Sequence, residues 1–410
     1  MERGDARGKR RGSGDEHGLA PGRRGLPPRP LDRTRDRSPR SAGRRDGARG
    51  RAGSARRGIT VRAPQRSPRV TLLVTGGSGL VGTHVLEALR QRGERPRALV
   101  RDRSRDVVEA FGAEAVIGDV TDPVAWQRAS AGVHVIIHAA ALVASHDSLE
   151  EFMRVNVGGT RLAIATARRT GARLIHISSV AVYGRTAVFE AGVRGVAEDY
   201  GFRPLPDRDF YARSKRATEQ VLEEEAARGD LSVIAIRPNV IYGERDLLFT
   251  GRLVAHLKRR FLPEIGPGTN HLSCVYAGNV AAAVLAALDA PVKPGFRAYN
   301  VTRDARPLLT QREFFQTFAT ALGVRPVRVP VPAPLIRGGV VAWSALMRLL
   351  MPGRYTALGN AAMSFILGEN PYSTERIERE LGWSPPIDTR TAIARSVTRQ
   401  SGSWRRGSSR

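Results

Sequence analysis

The sequence predicts an α/β fold: a doubly wound parallel sheet, then a smaller α/β region, with a disordered segment ahead of both. Three observations predict it. Short β-branched runs alternate with amphipathic helical stretches from residue 69 to about 240. Four glycines, Gly76, Gly77, Gly79 and Gly82, separate the first strand from the first helix. Residues 1–68 are rich in Arg, Gly, Pro and Ser and hold no Phe, Tyr or Trp. Such a segment cannot bury enough apolar surface to offset its chain entropy.

The charge is as uneven as the pattern. Of a net +27 over 410 residues, residues 1–69 carry 21 Lys+Arg against 7 Asp+Glu, or +14. Three readings of that segment stay open: an inert extension, an electrostatic arm for nucleic acid or anionic membrane, and a targeting segment. Nucleic-acid binding by stacking needs aromatic side chains among the charges, which argues against a nucleic-acid partner. No apolar stretch of secretory-signal length follows the arginine pairs. The single cysteine, Cys274, excludes an internal disulfide and a cysteine zinc cluster. The expectation is a reducing, cytoplasmic setting and no metal. The domain boundaries expected are 1–68 for the tail, 69–240 for the first domain, 241–400 for the second and 401–410 for a short disordered end.

The elements follow in order. Residues 70–74 form a short apolar, β-branched strand, as a central parallel strand requires. The glycines then permit a tight turn and let a pyrophosphate approach the backbone. Leu80 and Val81 open the helix, whose free N–H groups would face the phosphates. Strands are expected at 96–100, 113–120, 133–141, 172–179 and 231–238, with helices at 105–111, 123–130, 147–170 and 208–228 between them. This rhythm makes the first domain a Rossmann-type dinucleotide-binding domain, with ligands gathered at the carboxyl ends of its strands.

Those strand ends carry the candidates. Strand two ends at Arg101-Asp102-Arg103. An arginine there tolerates a ribose 2′-phosphate and a carboxylate binds a 2′-hydroxyl, so NAD and NADP both stay open, with a lean to NADP. Strand three ends at Asp119-Val120, where a carboxylate and a backbone amide can read an adenine edge. Strand four ends at His138-Ala139-Ala140, whose small side chains let a cofactor lie close. His138 reads as a packed histidine more than a catalyst. Asn156, on the next helix, holds a proton-relay water or simply bonds the backbone. On the helix after strand five, capped by Asp207 or Asp209, Tyr211 and Lys215 share a face at i and i+4. A nearby ammonium favours a phenolate, and such a pair can exchange a proton with an alcohol or a carbonyl.

Taken together, TGGSGLVG at 75–82, HAAA at 138–141, NVGGT at 156–160, SSVAVYG at 178–184, YARSK at 211–215 and RPNVIYG at 237–243 resemble the extended, NAD-dependent epimerase/dehydratase-like branch of the short-chain dehydrogenase/reductase superfamily. The stretches 270–283 and 237–246 are similar to the 3β-hydroxysteroid dehydrogenase and sterol-4α-carboxylate dehydrogenase group. The resemblance implies that Tyr211 is the catalytic acid/base and that Ser179 steadies charge on the reacting oxygen. It also implies that Lys215 binds the nicotinamide ribose and depresses the Tyr211 pKa, and that the backbone around Pro238, Asn239 and Val240 faces the nicotinamide. It implies an NAD(P)-dependent oxidoreductase of a hydrophobic, steroid-like alcohol or ketone. A nucleotide-sugar epimerase or dehydratase is the alternative, and a non-catalytic cofactor-binding sensor the second alternative.

The second domain is expected to bind substrate. A turn feeds an apolar helix over 275–291, a strand spans 298–304, Thr310 and Glu313 form a capping box, and Gly382 stops a helix near the end. The apolar stretch 334–352 is too short between its arginines to span a bilayer. It reads as a lid over a greasy substrate or as a membrane-surface contact. A homodimer is left open.

Overall fold

The computed structural model describes residues 70–143, 148–184, 195–304, 307–332 and 372–403, with isolated positions between 334 and 368. The 1–68 segment lies outside them, as do most of 334–352 and all of 404–410.

The first strand β1 (Leu72–Thr75) is fully buried and leads through the glycine turn into α1 (Leu80–Gln91). Then come β2 (Arg97–Val100), α2 (Arg105–Ala110), β3 (Glu114–Ile117), α3 (Pro123–Ala129) and β4 (Val135–His138). A long helical stretch follows: α4 (Leu149–Phe152), a π-helical segment Met153–Gly158, and α5 (Gly159–Thr170). Next are β5 (Arg173–Ile177), α6 (Phe210–Ala226) and β6 (Ser232–Pro238). Strand alternation divides the core between the two sheet faces. Leu72, Val74, Ile137, Ile175 and Ile234 meet α1 on one side. Leu73, Ile136, Leu174 and Val233 meet α3, α5 and α6 on the other.

The remaining chain builds β7 (Val240–Tyr242), α7 (Thr250–Lys258), β8 (Phe261–Ile265), β9 (Cys274–Tyr276), α8 (Ala277–Asp289), β10 (Gly295–Val301), α9 (Gln311–Ala321) and β11 (Val327–Val331). Helices Glu375–Leu381 and Thr389–Ser403 close it. The main sheet has seven parallel strands in the order β10-β6-β5-β4-β1-β2-β3. The segment expected as 241–400 therefore returns β10 to the first sheet beside β6, and α8 packs against α1 through Val280, Val284 and Ala287. Two small parallel pairs, β7–β9 and β8–β11, were not expected. A second core of Tyr242, Leu257, Leu272, Tyr276, Phe314, Phe318 and Ile393 sits among these later elements.

Local signals hold where they were expected. Thr310 and Glu313 form the capping box of α9. Gly382 ends its helix at φ 62°, a left-handed position that glycine occupies without strain. The last helix runs to Ser403, three residues into the stretch 401–410. Its regular backbone continues past the polar composition that marked that end.

Candidate active site

The glycine turn is built by backbone contact. Gly76 has φ +69°, and a Cβ there would lie 2.5 Å from the Ala140 nitrogen. A Cβ on Gly82 would lie 2.0 Å from the Gly76 carbonyl oxygen. Gly77 is looser, with side chains of Leu86 and Val108 at 3.2 Å. So the turn packs directly on the end of β4, and side chains at Ala139 and Ala140 stay small. Gly79 caps α1 without a side-chain hydrogen bond. The first-turn amides, those of Leu80 and Val81 among them, thus have no side-chain acceptor from the cap, as an anion-binding helix start requires. These features fit a dinucleotide.

At the end of β2, Arg101 and Asp102 are both exposed. The Asp102 carboxylate accepts from Arg105 Nη2 at 3.3 Å. At the end of β3, Asp119 Oδ1 accepts from the Thr121 N–H at 3.0 Å and its hydroxyl at 2.8 Å. Burial works to raise the Asp119 pKa, but those bonds and the charges of Arg101 and Arg154 outweigh it and hold it below the usual carboxylate range. Val120 also serves packing: its carbonyl accepts from Trp126 Nε1 at 2.8 Å.

His138 lies in the core, with no exposed surface. Its Nδ1 lies 2.7 Å from Thr75 Oγ1 and its Nε2 lies 3.2 Å from Thr160 Oγ1. Thr160 spends its own proton on the Asn156 carbonyl, 2.7 Å away. Thr160 therefore accepts from Nε2–H and Thr75 donates to Nδ1. Burial, and secondarily the Lys215 charge, push the imidazole down to about 3. It is neutral and structural.

Asn156 sits in the π-helical segment and is buried. Its Oδ1 accepts from the Leu142 N–H at 2.7 Å, and its Nδ2 donates to the Leu142 carbonyl at 3.1 Å and to Ser214 Oγ at 2.9 Å. The side chain thus ties the loop after β4 to α6.

Three catalytic candidates meet at the carboxyl end of the sheet. Asp209 caps α6, accepting from the Ala212 N–H at 3.1 Å, and so fixes the helix that carries Tyr211. Ser179 follows β5 and caps a 3₁₀ turn, Val180–Tyr183, accepting from the Ala181 N–H at 3.2 Å. Its hydroxyl acts on the Tyr211 phenol and favours the phenolate. One helical turn on, buried Lys215 donates from Nζ to the Ile177 carbonyl at 2.7 Å. Pro238, Asn239 and Val240 stand at the end of β6, the neighbouring strand.

The expected lowering of Tyr211 by Lys215 is not what this arrangement gives. Burial dominates and pushes the phenol up to about 12, against the opposing Ser179 bond. Burial also brings Lys215 down to about 8, against the Glu219 carboxylate, which raises it. The phenol is thus held protonated here, ready to donate to a carbonyl oxygen.

Sequence reasoning missed the carboxylate behind these groups. Glu219, four residues beyond Lys215 on α6, accepts from the Ser178 hydroxyl and from Arg237 Nε at 2.9 Å and 3.1 Å. Arg237 also donates to the Tyr183 phenol at 2.7 Å, which in turn donates to Asn300 Oδ1 at 2.9 Å. The repeated i+4 spacing was the available signal.

Residues 72–302 match the NAD dependent epimerase/dehydratase family. The chain is 33% identical to a ceramide reductase of Caulobacter vibrioides, over 68% of this chain and 80% of that protein. It is 28% identical to a 3 beta-hydroxysteroid dehydrogenase/Delta 5-->4-isomerase of Mycobacterium tuberculosis, over 78% of this chain and 88% of that one. A solved UDP-glucose 4-epimerase of Thermus thermophilus, in complex with NAD, shares 24% identity. That structure is matched over 82% of this chain and all of its own length, with a TM-score of 0.61, a likeness of fold.

Proposed function

Because the chain belongs to the NAD dependent epimerase/dehydratase family, we propose that it is an NAD(P)-dependent oxidoreductase interconverting a secondary alcohol and a ketone on a hydrophobic, steroid-like substrate. The observation that carries the reading is that the Ser179 hydroxyl acts on the Tyr211 phenol, with buried Lys215 one turn behind it on α6. A sensor that merely bound the cofactor would not need that set.

When bound, the nicotinamide ring supplies the hydride acceptor or donor. Gly76, Gly77, Gly79 and Gly82, with the amides of Leu80 and Val81, would hold the pyrophosphate. Arg101 and Asp102 would meet the adenosine ribose, and Asp119 and Val120 the adenine. Ala139, Ala140 and the Pro238–Val240 backbone would leave room for the ring. Tyr211 donates its proton to a ketone oxygen; in the reverse direction its phenolate accepts one from an alcohol. Ser179 donates a hydrogen bond to the same oxygen and offsets its charge. Lys215 supplies a positive charge beside the phenol as proton is lost. Asn156 fixes the loop that faces them.

The greasy substrate class rests on the relatives' names and on Leu272-Ser273-Cys274, where many nucleotide-sugar enzymes carry an Arg-Asp-Phe stretch. NADP over NAD rests on Arg101 and on the engagement of Asp102 by Arg105. Contact with a membrane surface would suit such a substrate. Among the described residues, no helix is long and apolar enough to cross a membrane. The test presents NAD(P)+ or NAD(P)H with 3β-hydroxysteroids, ceramide-type ketones, and UDP- and dTDP-sugars, following the lipids by absorbance of reduced nicotinamide and the sugars by chromatography of their products, because an epimerase or dehydratase returns its hydride. Turnover of the lipids is expected; conversion of a nucleotide sugar alone would overturn the substrate class.

A further inference from the structure

We propose that Glu219 is a positioning residue of this active site, its buried carboxylate joining the three chain segments that carry the reacting groups. The inference rests on the oxidoreductase reading above. Each partner of Glu219 neighbours a site element. Ser178, which donates to it, precedes Ser179 at the end of β5. Arg237, which binds it through Nε at 2.9 Å and 3.1 Å, precedes Pro238-Asn239-Val240 at the end of β6. Tyr211, Lys215 and Glu219 themselves fall at successive turns of α6.

Both members of the ion pair are buried, at 2% and 3% exposure. A carboxylate so placed holds its geometry with little competition from water. Arg237 takes the pairing onward through Tyr183 to Asn300 on β10, so the clamp reaches the edge of the sheet. Glu219 also acts on Lys215, whose pKa burial lowers and the carboxylate raises. Lys215 faces Tyr211 and Glu219 on its own helix, neutral His138 and His176 from β4 and β5, and Arg237 from β6 across the carboxylate. Glu219 is the anion in that group and favours the ammonium against burial.

The chain has four lysines, Lys9, Lys215, Lys258 and Lys293, so Lys215 can be read directly. The full chain is labelled with 13C-lysine, its Lys215 signal assigned by Lys215→Met, and titrated by NMR. The Lys215 midpoint should lie near 8 and drop by at least about half a pH unit in Glu219→Gln. The double variant Glu219→Leu with Arg237→Met replaces the ion pair by apolar groups, a change buried sites tolerate. It should show the same drop while losing less melting temperature than Glu219→Gln, which leaves the Arg237 charge buried without its anion. In both variants kcat should fall while the KM for the alcohol or ketone changes little, since Glu219 touches no substrate. An unmoved Lys215 midpoint in either variant overturns the assignment. A wild-type chain that turns over no alcohol or ketone would instead sink the oxidoreductase reading, with the lysine titration still legible.

Discussion

His138 and His176 stand side by side on neighbouring parallel strands, ring centroids 5.4 Å apart and planes tilted by 33°, and both are buried. Burial first, and Lys215 second, keep them neutral: His138 is pushed down to about 3 and His176 well below its usual value. His84, on α1 with its ring against Tyr276, is brought down to about 4, by burial and then by Arg245. In the unfolded chain each would take a proton near pH 6.5. Below that pH the unfolded state binds more protons, so stability falls as pH falls. His138 alone should remove roughly 3 kcal/mol by pH 4. Melting temperature measured from pH 7 to 4 should decline steeply, and His138→Gln should flatten the decline. A flat profile in the wild type would contradict the buried neutral assignment.

Tyr211→Phe should lower turnover by about 10²–10⁴-fold, the usual contribution of a positioned acid or base. The melting temperature should hardly change, because the hydroxyl contributes little packing. Full turnover in the variant would favour a cofactor-binding sensor.

The two glycines nearest the Gly76 carbonyl should respond differently to a methyl group. In Gly82→Ala the Cβ would meet that oxygen at 2.0 Å, whereas in Gly79→Ala it would stand at 3.3 Å. Cofactor titration should show at least about a tenfold loss for the first, some 1.4 kcal/mol. The second should stay within a few-fold of the parent. Equal affinities would show that the turn is not a phosphate cradle.

Arg101→Ala should weaken NADP binding more than NAD binding, since only NADP offers a 2′-phosphate to the guanidinium. Direct titration with both cofactors checks this, and identical losses would remove the basis for an NADP preference.

Much of this was legible in the sequence, for physical reasons. Strands buried on both faces read as apolar, β-branched runs, so β1, β4, β5 and β6 stood out, and the glycines marked a turn that only backbone can fill. Tyr211 and Lys215 were found because helical spacing puts them on one face. What burial does to them was not legible: the phenol's rise to about 12 depends on atoms brought there by the whole fold. Pairing across long stretches was equally hidden, which is why β10 beside β6 and the Glu219–Arg237 pair came only from the structure. The π-helical segment at Asn156 leaves no mark in residue pattern, because its sequence suits an ordinary helix. The apolar stretch 334–352 lies largely outside the described residues.

The return of β10 to the main sheet decides how the chain can be divided. Every residue of β6 is buried, and its outer side is paired along its whole length by β10, from Gly295↔Ser232 to Val301↔Pro238. A fragment ending at residue 240 would leave that apolar strand as an open edge, a template for other chains. Such a piece would be expected to aggregate rather than to persist as a free-standing nucleotide-binding module. The same pairing joins residues about sixty positions apart, so the sheet can close only late, after most of the chain has left the ribosome.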